Sequence, residues 1–122
     1  MKFISAEEFL NQTEEVQKVF LDYFKGKEGI YFNGIGTIKG YGKLFTNLGI
    51  IPALTEGQLR NFIEDKTGCY IDISHNSMDA CIQLCDKEDE YPIEEWEWQY
   101  LSNDLLQAYW KVAVEIAEHE TR

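Results

Sequence analysis

Apolar and polar residues alternate with a period of two in three segments of the second half of the chain. These segments are Cys69–Ser74, Ala80–Cys85 and Glu95–Tyr100, and short loops separate them. The alternation predicts β-strands, and short loops favour antiparallel neighbours, so we expect a three-strand meander. Its apolar face would carry Ile71, Ile73, Ile82, Leu84, Trp96 and Trp98.

Apolar residues at helical spacing predict the remaining elements. Ser5, with a glutamate three residues later, predicts the start of a first helix, and Thr13 predicts the start of a second. A third helix is predicted over residues 56–67, with Gly68 as its C-terminal stop. Ser102 is expected to cap a long final helix with a continuous apolar stripe.

A glycine-rich segment occupies residues 33–43. Asn33-Gly34 is a strong hairpin-turn dipeptide, and Ile30–Phe32 and Lys43–Phe45 are short strand candidates. A dinucleotide-binding motif fails here, because Lys39 stands where the third glycine would fall and no helix start follows. We therefore interpret the segment as a turn followed by a kinked strand; the alternative is a basic loop that contacts a ligand or partner.

Together these elements predict an α+β fold. An antiparallel sheet, made of the three-strand meander plus the glycine-rich hairpin, would pack against about three helices. At 122 residues, and without an internal repeat or linker, the chain is expected to be a single domain over residues 1–122.

Composition narrows the function classes. The net charge of −11 opposes direct binding to nucleic acid or to an anionic membrane surface and favours a basic protein partner. The N-terminal sequence turns acidic where a signal peptide would turn apolar, which predicts a cytoplasmic protein. The odd number of cysteines predicts reduced thiols.

The charge is unevenly spread. Residues 25–54 carry a net charge of +3, whereas residues 86–122 carry −8. We expect a dense negative ridge to bind the partner, and we call it the acidic surface. It consists of Glu88, Asp89, Glu90, Glu94, Glu95 and Glu97. The alternative is that these carboxylates only keep a sheet edge soluble.

Catalytic and metal-binding groups are sparse. A zinc site could in principle use four ligands, Cys69, Cys81, Cys85 and His75. The sequence lacks the pairs of ligands at short spacing that are typical of such sites. A Cys–His–Asp set of Cys69 or Cys81 with His75 and Asp79 is conceivable, yet no nucleophile motif surrounds it. We therefore predict no catalytic residue, no metal and no cofactor, and hence a protein that is not an enzyme.

Three segments carry a resemblance to a known group: Leu54–Lys66, Asn103–Ala113 and Glu14–Asp22, which is similar to the segment with which such proteins often open. They resemble small accessory proteins that phages and prophages of Clostridium-like Firmicutes encode. The resemblance implies a phage protein that acts in the host cytoplasm. Small non-enzymatic phage proteins there often bind and disable a host factor, including defence nucleases, as anti-CRISPR proteins do.

Two functional hypotheses follow. In the first, the acidic surface binds and inhibits a host protein with a basic surface, such as a nucleic-acid-binding defence protein. Self-association stays open. In the second, the chain is a sponge that sequesters a nucleotide signal of host defence, with lysines on the phosphates and aromatic rings on the base. That ligand site would comprise Lys39, Lys43, Tyr31, Tyr41 and Phe45.

Overall fold

The computed structural model describes residues 2–25, 27–32, 37–41 and 51–122. Helices and antiparallel sheets are both present, which confirms the α+β class. The chain divides into two compact units, one of Met1–Thr55 with Ala117–Arg122 and one of Glu56–Ile116. The expectation of a single domain stays a prediction.

The first unit begins with two short helices, α1 (Ala6–Leu10) and α2 (Glu14–Phe24). The Ser5 hydroxyl accepts a hydrogen bond from the Glu8 backbone N–H over 3.1 Å, and the Glu8 carboxylate accepts one from the Ser5 backbone N–H. Thr13 caps α2 by accepting from the Val16 N–H over 3.2 Å. Both predicted helix starts are confirmed, because each side chain satisfies a backbone donor that the helix leaves free.

The sheet of this unit has the strand order β2-β1-β3. Strand β1 (Glu28–Phe32) pairs antiparallel with β2 (Thr37–Tyr41) and, on its other edge, with β3 (Ile51–Pro52). The predicted strand Ile30–Phe32 therefore exists, and the glycine-rich segment contributes the second strand of a hairpin. The Asn33-Gly34 turn and the strand candidate Lys43–Phe45 lie outside the described residues.

Backbone hydrogen bonds extend this pairing beyond β3. The Ala53 N–H donates to the Ile30 carbonyl oxygen over 2.8 Å, and the Ile4 N–H donates to the Leu54 carbonyl oxygen over 2.8 Å. Aromatic contacts accompany them, since the rings of Phe9 and Phe20 lie 6.2 Å apart. The buried side chains of this unit include Ile4, Phe9, Val16, Phe20, Phe24, Tyr31, Ala53 and Leu54.

The second unit contains helix α3 (Glu56–Thr67), strands β4 (Cys69–His75), β5 (Ala80–Asp86) and β6 (Pro92–Leu101), and most of helix α4 (Leu105–Glu120). The strand order β4-β5-β6 with antiparallel pairing confirms the predicted meander. It forms a sheet of its own, separate from the glycine-rich hairpin.

Helix α3 ends where the sequence predicts. Gly68 follows the last helical residue with φ +68°, a left-handed conformation that a glycine adopts without the steric cost of a Cβ. Leu59, Phe62 and Ile63 form its buried face. The tight turn at Gly68 lets α3 contact the strand that follows it.

The predicted apolar face of the meander is largely confirmed. Ile71, Ile82 and Leu84 are buried, whereas Ile73 and both tryptophans of β6 are half-buried. Ile82 lies opposite Trp98 in the β5–β6 register. The indole N–H of Trp98 donates to the Glu115 carboxylate on α4, which joins the last strand to the last helix.

Strand β6 is irregular. Its register against β5 shifts twice, once between Ala80 and Ile82 and once between Gln83 and Cys85. Near the first shift, Tyr100 has φ +60°, and Glu90 has φ +58° in the turn before β6. Residues with a Cβ rarely adopt this conformation. The two register shifts mark bulges or irregularities in the β5–β6 pairing.

The start of α4 corrects one prediction. Asp104, not Ser102, caps the helix, because the Asp104 carboxylate accepts a hydrogen bond from the Leu106 N–H over 3.1 Å. Ser102 instead accepts from the Asp104 N–H over 3.1 Å, outside the helix. A second correction concerns His75, which follows the predicted strand segment Cys69–Ser74 in the sequence but is the last residue of β4.

Candidate binding groove and acidic surface

The face of the β4-β5-β6 sheet opposite Ile71, Ile82 and Leu84 is polar. Because side chains alternate between faces, β4 contributes Tyr70, Asp72 and Ser74 to this face. The register places these three opposite Cys85, Gln83 and Cys81 of β5, in that order. Glu97 of β6 lies opposite Gln83 and completes the row across the sheet.

These side chains line an open groove of about 380 Å³, which we call the sheet groove. Glu90, from the turn before β6, also lines it, and so does Pro92, which lies opposite Cys85 at one end of the row. The volume lies at the lower end of the range typical of small-ligand sites. The described residues of the lining are Tyr70, Asp72, Ser74, Cys81, Gln83, Cys85, Glu90, Pro92 and Glu97.

The sheet groove is electrostatically negative. Among the described residues that line it, three are acidic and none is a lysine or arginine. Partial burial and a hydrogen bond with Cys85 raise the pKa of the Tyr70 hydroxyl, and the charges of Glu90 and Asp72 raise it further. The charges of Glu90 and Asp72 therefore both act on the Tyr70 hydroxyl, which stays protonated at neutral pH.

Negative charges of the groove also act on the thiol of Cys81. Burial raises its pKa, and the carboxylates of Glu97, Asp72 and Asp79 add to that effect. Reactive cysteines need the opposite environment, with a cation or a helix N-terminus that stabilises the thiolate. Cys81 is thus an unactivated thiol.

All six residues of the acidic surface are exposed. Two of them, Glu90 and Glu97, also line the sheet groove, whereas Glu88, Asp89, Glu94 and Glu95 lie outside it. The acidic surface and the groove are therefore continuous through Glu90 and Glu97.

The turn that carries the first half of the acidic surface is well ordered by hydrogen bonds. The Asp86 carboxylate accepts from the Glu88 N–H over 2.8 Å and from the Asp89 N–H over 3.2 Å. The Asp86 backbone N–H donates to the Tyr91 carbonyl oxygen, and its carbonyl accepts from the Glu90 N–H, both over 2.9 Å. These contacts present the acidic side chains from a defined backbone.

The cysteines and His75 do not assemble into a catalytic set. Cys69 lies at the start of β4 and His75 at its end, six residues apart along an extended strand. Cys81 lies opposite Ser74 in the register, so it projects to the groove face while His75 projects to the other. All three cysteines are free thiols. Within the described ranges, no three His, Cys, Asp or Glu side chains converge to hold a metal ion.

The structure describes only part of the predicted nucleotide site. Lys39 and Tyr41 belong to β2, while Lys43 and Phe45 lie outside the described residues. Tyr31 is only 1 % exposed, and its hydroxyl donates to the Lys27 carbonyl oxygen over 3.3 Å. Its ring is enclosed, so the stacking role expected of Tyr31 does not fit the structure.

Sequence reasoning missed the β4 side of the groove. The signal was present, because the alternation that places Ile71 and Ile73 in the core places Tyr70, Asp72 and Ser74 together on the opposite face. Only the register of β4 against β5 shows that these residues lie opposite Cys85, Gln83 and Cys81.

Two further observations concern the chain as a whole. No helix in the part of the chain that the structure describes combines the length and the apolar character needed to cross a bilayer. No protein-family model, no curated protein and no solved structure shows a significant match to the chain.

Proposed function

We propose that this protein is a non-catalytic binding protein that recognises a basic surface on another protein. The observation that carries the proposal is the acidic surface, six exposed carboxylates on β6 and the hydrogen-bonded turn before it. Between residues 86 and 97 the sequence has seven acidic residues and a single lysine. Such a surface attracts a positively charged partner and repels nucleic acid and anionic lipids.

Order in the backbone of the turn favours recognition over simple solubility. Residues that only keep a protein soluble need no fixed arrangement, whereas Asp86 organises the turn through two hydrogen bonds to backbone N–H groups. Preorganised charges lose less entropy when a partner binds. The acidic surface is therefore suited to a defined partner.

The biological setting we propose is a phage protein in the host cytoplasm that inhibits a host factor. The resemblance of Leu54–Lys66 and Asn103–Ala113 to phage accessory proteins supports this setting. A nucleic-acid-binding defence protein is the partner class that fits best. The nucleic-acid groove of such a partner is lined by lysine and arginine. It can therefore bind another negatively charged surface in place of the phosphate backbone.

The test compares two double variants with the same change in net charge. Glu94→Lys/Glu95→Lys reverses two charges of the acidic surface, and Asp22→Lys/Glu118→Lys reverses two exposed acidic residues elsewhere. Host proteins captured by the wild type are identified by mass spectrometry, and the dissociation constant for the purified partner is then measured. We expect at least about tenfold weaker binding for the first variant and little change for the second.

Salt gives an independent check. Exposed charges are screened beyond about 8 Å at physiological ionic strength, so affinity for the partner falls as salt rises. Equal losses for the two double variants, or an affinity that does not respond to salt, would contradict the proposal.

Thermal-shift screening with cyclic nucleotides tests the alternative hypothesis, a sponge that sequesters a nucleotide signal. Stabilisation by about 2.7 kcal/mol at 100 times the dissociation constant would favour it instead.

A further inference from the structure

We infer that the sheet groove receives an arginine side chain of the basic partner. This inference rests on the proposed binding function and adds a specific contact to it. The acidic surface attracts a basic protein from a distance, whereas the groove beside it provides a concave site at which one cationic side chain is held.

The shape of the groove suits a single side chain. Its volume of about 380 Å³ is small for a drug-sized ligand but sufficient for an extended side chain with a planar end group. Cys85, which is 5 % exposed, lies in the floor of the groove, and Pro92 lines one end. These weakly polar groups suit the methylene stem of a long basic side chain.

The charges of the groove fit a cation. Asp72 on β4, Glu90 in the turn and Glu97 on β6 approach it from three different elements. The described residues that line it include no lysine or arginine, so this lining carries a net negative charge. Their convergence is supported by the raised pKa of Cys81, to which Glu97 and Asp72 both contribute after burial.

Arginine fits the groove better than lysine does. A guanidinium group has five N–H donors in a planar fork, and the groove offers acceptors spread over several directions. These acceptors are the three carboxylates and the hydroxyls of Ser74 and Tyr70. The half-buried Tyr70 ring also offers an aromatic surface against which a guanidinium group can stack.

Two other uses of the groove are disfavoured. A phosphate or carboxylate ligand would meet three negative charges and, among the described residues of the lining, no positive one. Thiol chemistry at Cys81 is disfavoured, because burial and the nearby carboxylates hold the thiol in its protonated form.

The test uses a capped Gly-Arg-Gly peptide as the probe, with a Gly-citrulline-Gly peptide as a neutral isostere. Each peptide is titrated into the isotopically labelled protein, and amide chemical shifts are recorded. We expect the arginine peptide to shift the amides of Asp72, Ser74, Cys81 and Gln83, and the citrulline peptide to leave them unchanged. Equal shifts with both peptides, or shifts spread evenly over all acidic segments, would overturn the inference.

Matched variants locate the site. Asp72→Asn removes a groove charge, and Glu95→Gln removes a charge outside the groove on β6. Asp72→Asn should weaken binding of the arginine peptide about twofold to fivefold, the range for a partly exposed ion pair, and Glu95→Gln should change it less. Cys81→Phe fills the groove without changing its charge and should abolish the groove shifts. If Cys81→Phe fails to fold, the Asp72→Asn comparison decides.

The same variants separate this inference from the proposed function. If Glu94→Lys/Glu95→Lys abolishes partner binding while Asp72→Asn and Cys81→Phe leave it unchanged, the binding function stands and the groove contact is wrong. If none of these variants affects partner binding, both proposals fail. Spermidine is a third probe: if it binds more tightly than the arginine peptide and also depends on Asp72, the groove binds small cations and the inference is overturned.

Discussion

The side-chain amide of Gln83 on β5 donates a hydrogen bond to the backbone carbonyl oxygen of Ile93 on β6 over 2.9 Å. The same amide also lies 2.9 Å from the carbonyl oxygen of Leu84 and 3.4 Å from that of Trp96. This contact occurs where the register between the two strands shifts. Gln83 thus adds side-chain donors to backbone carbonyl groups at the irregular part of the β5–β6 pairing.

Replacing Gln83 by Glu should destabilise the fold. A carboxylate cannot donate to the carbonyl oxygens of Ile93 and Leu84, and it adds a negative charge to a negative groove. We expect a loss of about 2–3 kcal/mol in the free energy of unfolding, measured by urea denaturation at neutral pH. Gln99→Glu is the matched control, because Gln99 is exposed and its amide donates to the Glu97 carboxylate rather than to a backbone carbonyl. A comparable loss in both variants would show that Gln83 has no special role.

The cap of α4 can be assigned by two alanine substitutions. Asp104→Ala removes the acceptor for the Leu106 N–H and should cost about 1 kcal/mol. Ser102→Ala removes a contact that lies outside the helix and should cost less than half of that. Thermal unfolding followed by circular dichroism measures both. The reverse order of the two losses would restore Ser102 as the cap.

The reactivity of Cys81 should report the charges around it. Burial, followed by Glu97 and Asp72, raises the pKa of its thiol, so little thiolate is present near neutral pH. Glu97→Gln should lower that pKa and speed alkylation by iodoacetamide at a fixed pH, as read by peptide mass spectrometry. Glu95→Gln changes the net charge equally but is not among the groups that shift the thiol. Equal acceleration in both variants would mean that only net charge matters.

Buried tyrosines should make the protein sensitive to alkali. Burial raises the pKa of Tyr31, so the unfolded state loses its phenolic proton at a lower pH than the folded state does. Folded protein then binds more protons, and stability falls as pH rises above about 10. Tyr31→Phe should lessen this decline in the free energy of unfolding, while Tyr91→Phe, at an exposed position, should not. An unchanged pH dependence in Tyr31→Phe would refute the assignment.

Local signals in the sequence predicted much of the fold. Ser5, Thr13 and Gly68 act through hydrogen bonds or backbone conformations within a few residues, so their roles can be recognised without knowing the rest of the structure. Period-two alternation likewise located β4, β5 and β6 to within a few residues at each end. The Ser102 prediction was wrong because two potential caps lie two residues apart, and only the geometry distinguishes them.

Features that depend on register could not be predicted. The shifts in β6 leave no mark in a sequence pattern of period two, and the contacts of Gln83 depend on them. The sheet groove depends on them as well, since Glu97 faces Gln83 only in this alignment. Burial of Tyr31 was also missed, because an aromatic residue in a short strand is equally compatible with a ligand site and with the core.

The two tryptophans of β6 give an optical signal that can report binding at the neighbouring carboxylates. The rings of Trp96 and Trp98 lie 6.1 Å apart at an interplanar angle of 80°. Two indole transitions at this separation and angle couple, so circular dichroism should contain a paired band that depends on their relative orientation. Glu95 and Glu97 flank Trp96 in the sequence. Binding of a partner at these carboxylates should therefore be measurable on unlabelled protein, by following this circular dichroism band during a titration.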